Sequence, residues 1–177
     1  PPGRPIVGDC SSESYAVSNY IDSFLNPLSN KHPSYLKDTG DFLSKITNIS
    51  VPHNALLVTG DVTSLYTNMD LNRTLKTVRE LFEKNPDPTR PDSHILDLLD
   101  ITLKNNDFTF NSKTFLQTCG IAMGKKYAPS LANIYLIYFD LVLSKGFQGV
   151  VPLLPFRFLD DVFFLWTGTV DLLVEFE

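Results

Sequence analysis

Two aspartates stand side by side in an otherwise apolar run, FRFLDDVFFLW, at residues 156–166. Burying an unpaired carboxylate costs roughly several kcal/mol even after its surroundings relax. Asp160 and Asp161 must therefore reach water at a turn, be protonated, or face a cation. A second apolar run, LLVTGD, ends on Asp61. If the two runs form neighbouring strands, three carboxylates meet at one edge of a sheet, and a cation relieves the repulsion among them. Hard oxygen donors with no His or Cys nearby favour magnesium or manganese over zinc. Paired magnesium ions held by aspartates serve in-line phosphoryl transfer. Each feature alone has a plainer reading, since Asp-Asp is also a solvated hairpin turn and Asp commonly follows a strand. Their conjunction, with the flanking sequence, favours a cation site.

The elements that must position these carboxylates follow from periodicity. Leu56, Leu57 and Val58 form an apolar run of strand length, and the Thr, Ser and Asn after Asp61 suit a tight exit. LLPFRFLDDVFFLW reads as strand, turn, strand. Tyr15, Val17, Tyr20, Ile21, Phe24 and Leu25 recur at helical spacing, and Pro27 is expected to end that helix. SYLKDTGDFLSKITNI reads as a helix or a pair of turns, weakened by Gly40. LNRTLKTVRELFEKN is amphipathic, with Leu71, Leu75, Val78, Leu81 and Phe82 as its stripe. After the proline-rich NPDPTRPD comes SHILDLLDITLKNN, a helix with Ser93 as its expected N-cap. DFTFNSKTFLQ alternates around Asn111-Ser112-Lys113 as a β-hairpin does. A glycine-containing loop, TCGIAMGKKYAP, leads into one long apolar helix, SLANIYLIYFDLVLSK. The order, roughly β-α-α-β-β-α-β-β and the start of a helix, predicts an α+β layer of ferredoxin-like type.

Composition bounds the function. The 177 residues are 43% hydrophobic and 20% charged, as in an ordinary globular protein. No apolar run approaches the ~20 residues of a membrane span, so no membrane partner is expected. The first ten residues have no apolar core of a secretory signal. Cys10 and Cys119, 109 positions apart, make neither a disulfide framework nor a zinc pattern, which points to a reducing intracellular setting. His32, His53 and His94 lack ligand spacing and read as surface or loop residues. The net charge of −5 argues mildly against a nucleic-acid partner, unless the acidic excess gathers at a cation site or a basic region lies elsewhere.

The motifs carry a more specific resemblance. FLDD between apolar strands resembles the aromatic-x-Asp-Asp motif of reverse transcriptases. LLVTGDVTSLY is similar to their first catalytic motif: an apolar strand, an Asp, then an aromatic five positions on. MGKKYAPSLANIYL is similar to their second motif, and GRPIV resembles the Arg-Pro-Ile of the fingers. SYLKDTGDFL, VTGDVTSLYTN, FTFNSKTFLQTCGIAMG and RFLDDVFFLWTG resemble the reverse transcriptases of Penelope-like retroelements in particular. The resemblance covers nearly the whole chain, with four motifs in order.

The resemblance implies a reverse-transcriptase palm of ferredoxin-like type with partial fingers and no thumb. It covers residues 1–177 as a single domain: 1–50 from the fingers and 51–177 the palm, with motifs at 56–68, 117–136 and 156–166. It implies two divalent ions, Mg2+ or Mn2+, held by Asp61 and Asp160 with Asp161 as an auxiliary carboxylate. The backbone amides of Leu65 and Tyr66 would cradle phosphate oxygens, and Arg4 would reach the triphosphate. Tyr66 would lie under the sugar and exclude a 2′-hydroxyl; its plainer reading is a core aromatic, and that of Arg4 a mobile terminal residue. Where many reverse transcriptases have Gln-Gly, this chain has Met123-Gly124, and a thioether cannot make the amide's hydrogen bonds. Gly124 would still allow close backbone approach to the nucleotide. Lys125 and Lys126 read either as template-phosphate contacts or as a solvated basic pair.

The implied activity is RNA-directed DNA polymerase, from a retrotransposon, acting on an RNA template, a DNA primer and deoxynucleoside triphosphates. The implied location of the parent element's protein is intracellular and nuclear. The chain reads as a piece of a longer protein, and inactivity of this piece alone is compatible with an active parent. Oligomeric state is left open. Two alternatives share features with this reading. A non-catalytic relic or domesticated fold would bind nucleic acid or a partner, but all three aspartates are intact. An unrelated magnesium phosphohydrolase would share the carboxylates without explaining Tyr66 or the Gly, Ala-Pro and Ala-Asn of the second motif.

Overall fold

The computed structural model describes residues 6–10 and 12–176. In chain order the elements are α1 (Tyr15–Ser29), α2 (Thr39–Ile46), β1 (Leu56–Asp61), α3 (Leu65–Asn68), α4 (Leu71–Lys84), α5 (Asp92–Lys104), β2 (Asp107–Phe110), β3 (Lys113–Leu116), α6 (Ala128–Tyr135), α7 (Ile137–Lys145), β4 (Leu153–Phe158), β5 (Asp161–Trp166) and α8 (Val170–Phe176). They gather into two compact units that exchange the chain three times. One comprises the chain up to Asn30 with Ser64–Tyr135, the other Lys31–Thr63 with the chain from Leu136 onward. The division expected from sequence lay at 50/51.

The first unit is mainly helical. Its apolar stripes bury Ile21 and Leu25 of α1, Val78 and Phe82 of α4, Leu99 of α5 and Leu131 of α6, all at 2% exposure or less. α6 packs on α1 and α4, and α4 on α5. The Asp70 carboxylate caps α4 by accepting from Arg73 N at 2.7 Å. At the start of α5 the position before the first helical residue is Pro91 rather than Ser93, which lies inside the first turn. Pro27 does not end α1, which runs on to Ser29. Proline forfeits its own donor and crowds the carbonyl four residues back, and the helix nonetheless continues through Leu28 and Ser29, both buried. The β2–β3 ribbon turns through Asn111 (φ 49°) and Ser112 (φ 59°), both left-handed as a two-residue hairpin loop of type I′ requires.

The second unit is a three-stranded antiparallel sheet in the order β1-β5-β4. Val58, Val162, Phe164 and Trp166 form a core with Leu143 of α7, joined by Phe176 of α8. On the other face Phe42 of α2 meets Phe156 and Phe163 edge-on. The Asp38 carboxylate caps α2, accepting from Asp41 N at 2.9 Å. The single long helix expected over residues 130–145 is two helices, α6 and α7, broken at Leu136. No Gly or Pro marks the break; it falls where the chain passes from one unit to the other. No described helix is long and apolar enough to cross a membrane.

Candidate active site

The three aspartates of the sequence motifs lie in the sheet unit, at one end of β1 and β5. The register pairs Asp61 with Asp161 directly across the ladder. Directly opposed residues share a face, with Cβ atoms about 4.5–5.5 Å apart. Asp160 occupies the two-residue turn between β4 and β5, and its carbonyl accepts from Val62 N at 3.0 Å. The end of the first strand is thus tied to the turn of the hairpin. The register puts Asp161, the expected auxiliary carboxylate, opposite Asp61, and Asp160 one residue beyond.

Asp61 and Asp161 are exposed and Asp160 is half-buried. Among the described residues, none of the three forms an ion pair with a Lys, Arg or His. Two cavities flank the sheet at this end. One, of about 480 Å³, is bordered by Phe42, Thr59, Phe156, Phe158, Asp161 and Phe163. The other, of about 500 Å³, is bordered by Asp61, Phe139, Val142, Phe164 and Phe176. The carboxylates do not close into one cage, and among the described residues no three His, Cys, Asp or Glu side chains are grouped to hold a metal. That arrangement does not suit zinc. It does fit magnesium, which takes one or two protein carboxylates and completes its shell with substrate phosphate oxygens and water.

The turn carrying Asp160 is strained. Leu159 adopts φ 53°, the left-handed region, which costs a non-glycine residue roughly 1–2 kcal/mol. Its carbonyl accepts from Arg157 Nη1 at 2.9 Å. Arg157 is fully buried and grips Asp140 of α7 with two bonds, Nε to Oδ1 and Nη2 to Oδ2, both 2.8 Å. Burial by itself would push the Asp140 carboxyl upward, but bonds from Arg157 and His32 outweigh it and hold the group below the usual carboxylate range. His32 lies in the loop between α1 and α2, as its isolation in the sequence suggests, but it is not at the surface. It is 8% exposed, with Nδ1 3.1 Å from Asp140 Oδ2 and Nε2 3.3 Å from Arg157 Nη2. A guanidinium only donates, so Nε2 accepts and the ring proton sits on Nδ1, facing Asp140. The sequence carried one usable signal for this group, a charged Arg157 in the middle of an apolar strand.

The remaining motif residues belong to the helical unit. Leu65 and Tyr66 open the single turn of α3, Leu65 buried and Tyr66 half-buried. The Tyr66 carbonyl accepts from Ile121 N at 2.7 Å. Gly124 has φ 124°, and a Cβ there would stand 2.2 Å from the Val7 carbonyl. Its lack of a side chain thus serves a close approach of the chain to itself, where Val7 N donates to Met123 O at 2.9 Å. Lys125 is neither solvated nor open to a template. It is buried, its ammonium 3.1 Å from Asp9 Oδ1 and bonded also to Ser14. Burial pushes the Asp9 carboxyl upward, but hydrogen bonds, those from Ser12, Lys125 and Ser14 among them, prevail and hold it at about 2. Arg4 lies outside the described residues.

The fold is of reverse-transcriptase type. Three telomerase structures share it: apo telomerase from Candida tropicalis truncated from the C-terminal domain (TM-score 0.61, 13% identity, 94% of this chain and 36% of that one); telomerase from Candida albicans in complex with a TWJ fragment of telomeric RNA (TM-score 0.59, 14% identity, 90% and 31%); and the corresponding RNA complex from Candida tropicalis (TM-score 0.61, 13% identity, 92% and 30%). The chain spans about a third of the length of these structures. No protein-family model matches the sequence, and no curated protein matches it.

Proposed function

We propose that this chain is the core of an RNA-directed DNA polymerase of a Penelope-like retroelement, with Asp61, Asp160 and Asp161 as its catalytic carboxylates. The observation that carries the reading is the register of β1 against β5, which sets Asp61 across from Asp161 and ties Val62 to the Asp160 turn. The shared fold and the order of the motifs support it. The solved neighbours that hold a TWJ fragment of telomeric RNA support RNA binding; the role of RNA as template, the DNA primer and the deoxynucleoside triphosphates follow from the motifs.

Asp61 and Asp160 would hold two magnesium or manganese ions, with Asp161 beside them. Bound there, the ions would activate a primer 3′-hydroxyl and neutralise the triphosphate. The chain's own contribution is placement. The ladder sets two carboxylates opposite one another, and among the described residues no Lys, Arg or His forms an ion pair with them. Tyr66 would exclude a 2′-hydroxyl, the amides of Leu65 and Tyr66 would meet phosphate oxygens, and Arg4 and Gly124 would contribute to the nucleotide site.

Two measurements test this. Mn2+ titration followed by electron paramagnetic resonance should show binding that Asp61→Asn or Asp160→Asn abolishes, and the same variants should abolish deoxynucleotide incorporation on an RNA template. Asp161→Asn should be damaging as well. Full primer extension by either of the first two variants would refute the assignment. Tyr66→Ala should raise the ratio of ribo- to deoxynucleotide incorporation by roughly five- to 150-fold, because overpacking by one heavy atom typically costs ~1–3 kcal/mol. An unchanged ratio in a folded variant would remove Tyr66 from the site.

A further inference from the structure

We propose that Arg157 and Asp140, steadied by His32, are positioning residues that hold the Leu159-Asp160 turn in the conformation nucleotidyl transfer requires; this rests on the polymerase reading above. The starting observation is the misfit of Leu159. A branched apolar residue offers no local hydrogen bond to compensate for φ 53°, so the surrounding structure must impose that conformation. One visible restraint is the bond from Arg157 Nη1 to the Leu159 carbonyl at 2.9 Å.

That bond is useful only if the guanidinium itself cannot turn. Two of its nitrogens are held by the Asp140 carboxylate in a fork, which fixes the plane of the group. His32 bridges the two partners, and Ser34 Oγ stands 2.9 Å from His32 Nδ1. The Arg157 backbone is clamped as well: its N donates to Ser34 O at 2.7 Å and its O accepts from Leu36 N at 3.0 Å. The chain of contact therefore runs from α7 and the 32–36 segment through one planar group to the residue preceding Asp160.

Stability alone does not account for such a group. A buried ion pair is commonly no better a stabiliser than well-packed apolar side chains of similar volume. What apolar side chains cannot do is donate to the Leu159 carbonyl. Lysine could carry the charge, yet it lacks the planar fork that reaches the carboxylate and the turn together. Partners of this outer kind, when mutated, typically lower metal affinity or activity about 10- to 100-fold.

The test uses isotope-labelled protein and four variants: Arg157→Lys, the paired replacement Arg157→Met with Asp140→Leu, and each of these combined with Leu159→Gly. In the paired variant the 13C shifts of Leu159 should leave the left-handed region, and kcat for deoxynucleotide incorporation should fall about 10- to 100-fold with KM little changed. Adding Leu159→Gly, where positive φ carries no steric cost, should restore most of kcat without restoring the ion pair. A merely structural ion pair would show no such rescue. Unaltered Leu159 shifts in the paired variant, or failure of the glycine to rescue, would overturn the proposal. Should the paired variant not fold, Arg157→Lys carries the same two readouts. Wild-type protein that neither binds Mn2+ nor incorporates nucleotides would remove the polymerase reading and, with it, the purpose assigned to the turn. The Leu159 shifts would then still report whether Arg157 sets its conformation.

Discussion

Two hairpins in this molecule close with two-residue loops, and they do so by opposite means. The β2–β3 ribbon turns through Asn111 and Ser112, both at positive φ. Asn tolerates that region because its short polar side chain can bond locally, so the loop sequence and the loop geometry agree. The β4–β5 hairpin turns through Leu159 and Asp160, with leucine at φ 53°. Here sequence and geometry conflict, and the Leu159 carbonyl is held by Arg157, two residues back, whose guanidinium is in turn held by the distant Asp140 and His32. The first turn reverses the chain between β2 and β3. The second presents a carboxylate. Strain held in place by an over-determined surrounding is a mark of a functional segment, whereas a turn built from favourable residues needs no such support.

The largest expected effect separates the two hairpins by mutation. Arg157→Ala leaves Asp140 buried with only His32 beside it and takes away both guanidinium bonds, which should destabilise the protein by about 3–5 kcal/mol in denaturant unfolding. Amide exchange should rise first around residues 153–166 and least in the 107–116 ribbon. Equal loosening of both would break the comparison.

Acid should separate them next. The folded Asp140 carboxyl is held below its ordinary value, so the unfolded chain takes up the proton first as pH falls. The stabilisation is present above the ordinary carboxylate range, near pH 4, and is lost as pH drops through the lower folded value. Exchange in the β4–β5 hairpin should therefore rise below about pH 4. The unit holding the other hairpin has its own buried carboxylate, Asp9, with a folded value of about 2. It should lose on the order of 2 kcal/mol between about pH 4 and pH 2, a loss that Asp9→Asn would remove from the pH profile.

The smallest expected effects lie in the turns themselves. Leu159→Gly should relieve the positive-φ cost and stabilise the fold by up to about 1 kcal/mol, less whatever the added freedom of glycine takes back in the unfolded chain. Asn111→Gly should change stability by no more than about 0.5 kcal/mol, since Asn already accepts its conformation. A larger gain at 111 than at 159, measured by thermal unfolding, would reverse the ranking of strain.

Much of this structure was legible in the chain. Alternation around Asn111 named the hairpin, the stripe from Leu71 to Phe82 named α4, two apolar runs ending in aspartate named the strands β1 and β4, and the apolar run after Asp161 named β5, because period and turn chemistry are local properties. The candidate carboxylates could be listed from their types and spacing. Helix ends were less legible. Pro27 sits inside α1, Pro91 rather than Ser93 precedes α5, and nothing in SLANIYLIYFDLVLSK marks the break at Leu136. Local preferences of about 1 kcal/mol at a cap, or about 3 kcal/mol at a proline, do not by themselves set these ends.

What sequence alone determined is which residues are candidates for chemistry: Asp61, Asp160 and Asp161 as oxygen donors, with no His or Cys at metal-ligand spacing. What only tertiary structure decided is which groups surround them. Strand register, not spacing, put Asp161 opposite Asp61. Folding buried His32 against Asp140 and Arg157, residues more than a hundred positions away. It also withdrew Lys125 from solvent to pair with Asp9. The physical reason is common to all three. A side chain's charge and donor set are intrinsic to it, but its burial and its partners are set by segments that meet only when the core forms, and no local pattern in the chain encodes that meeting.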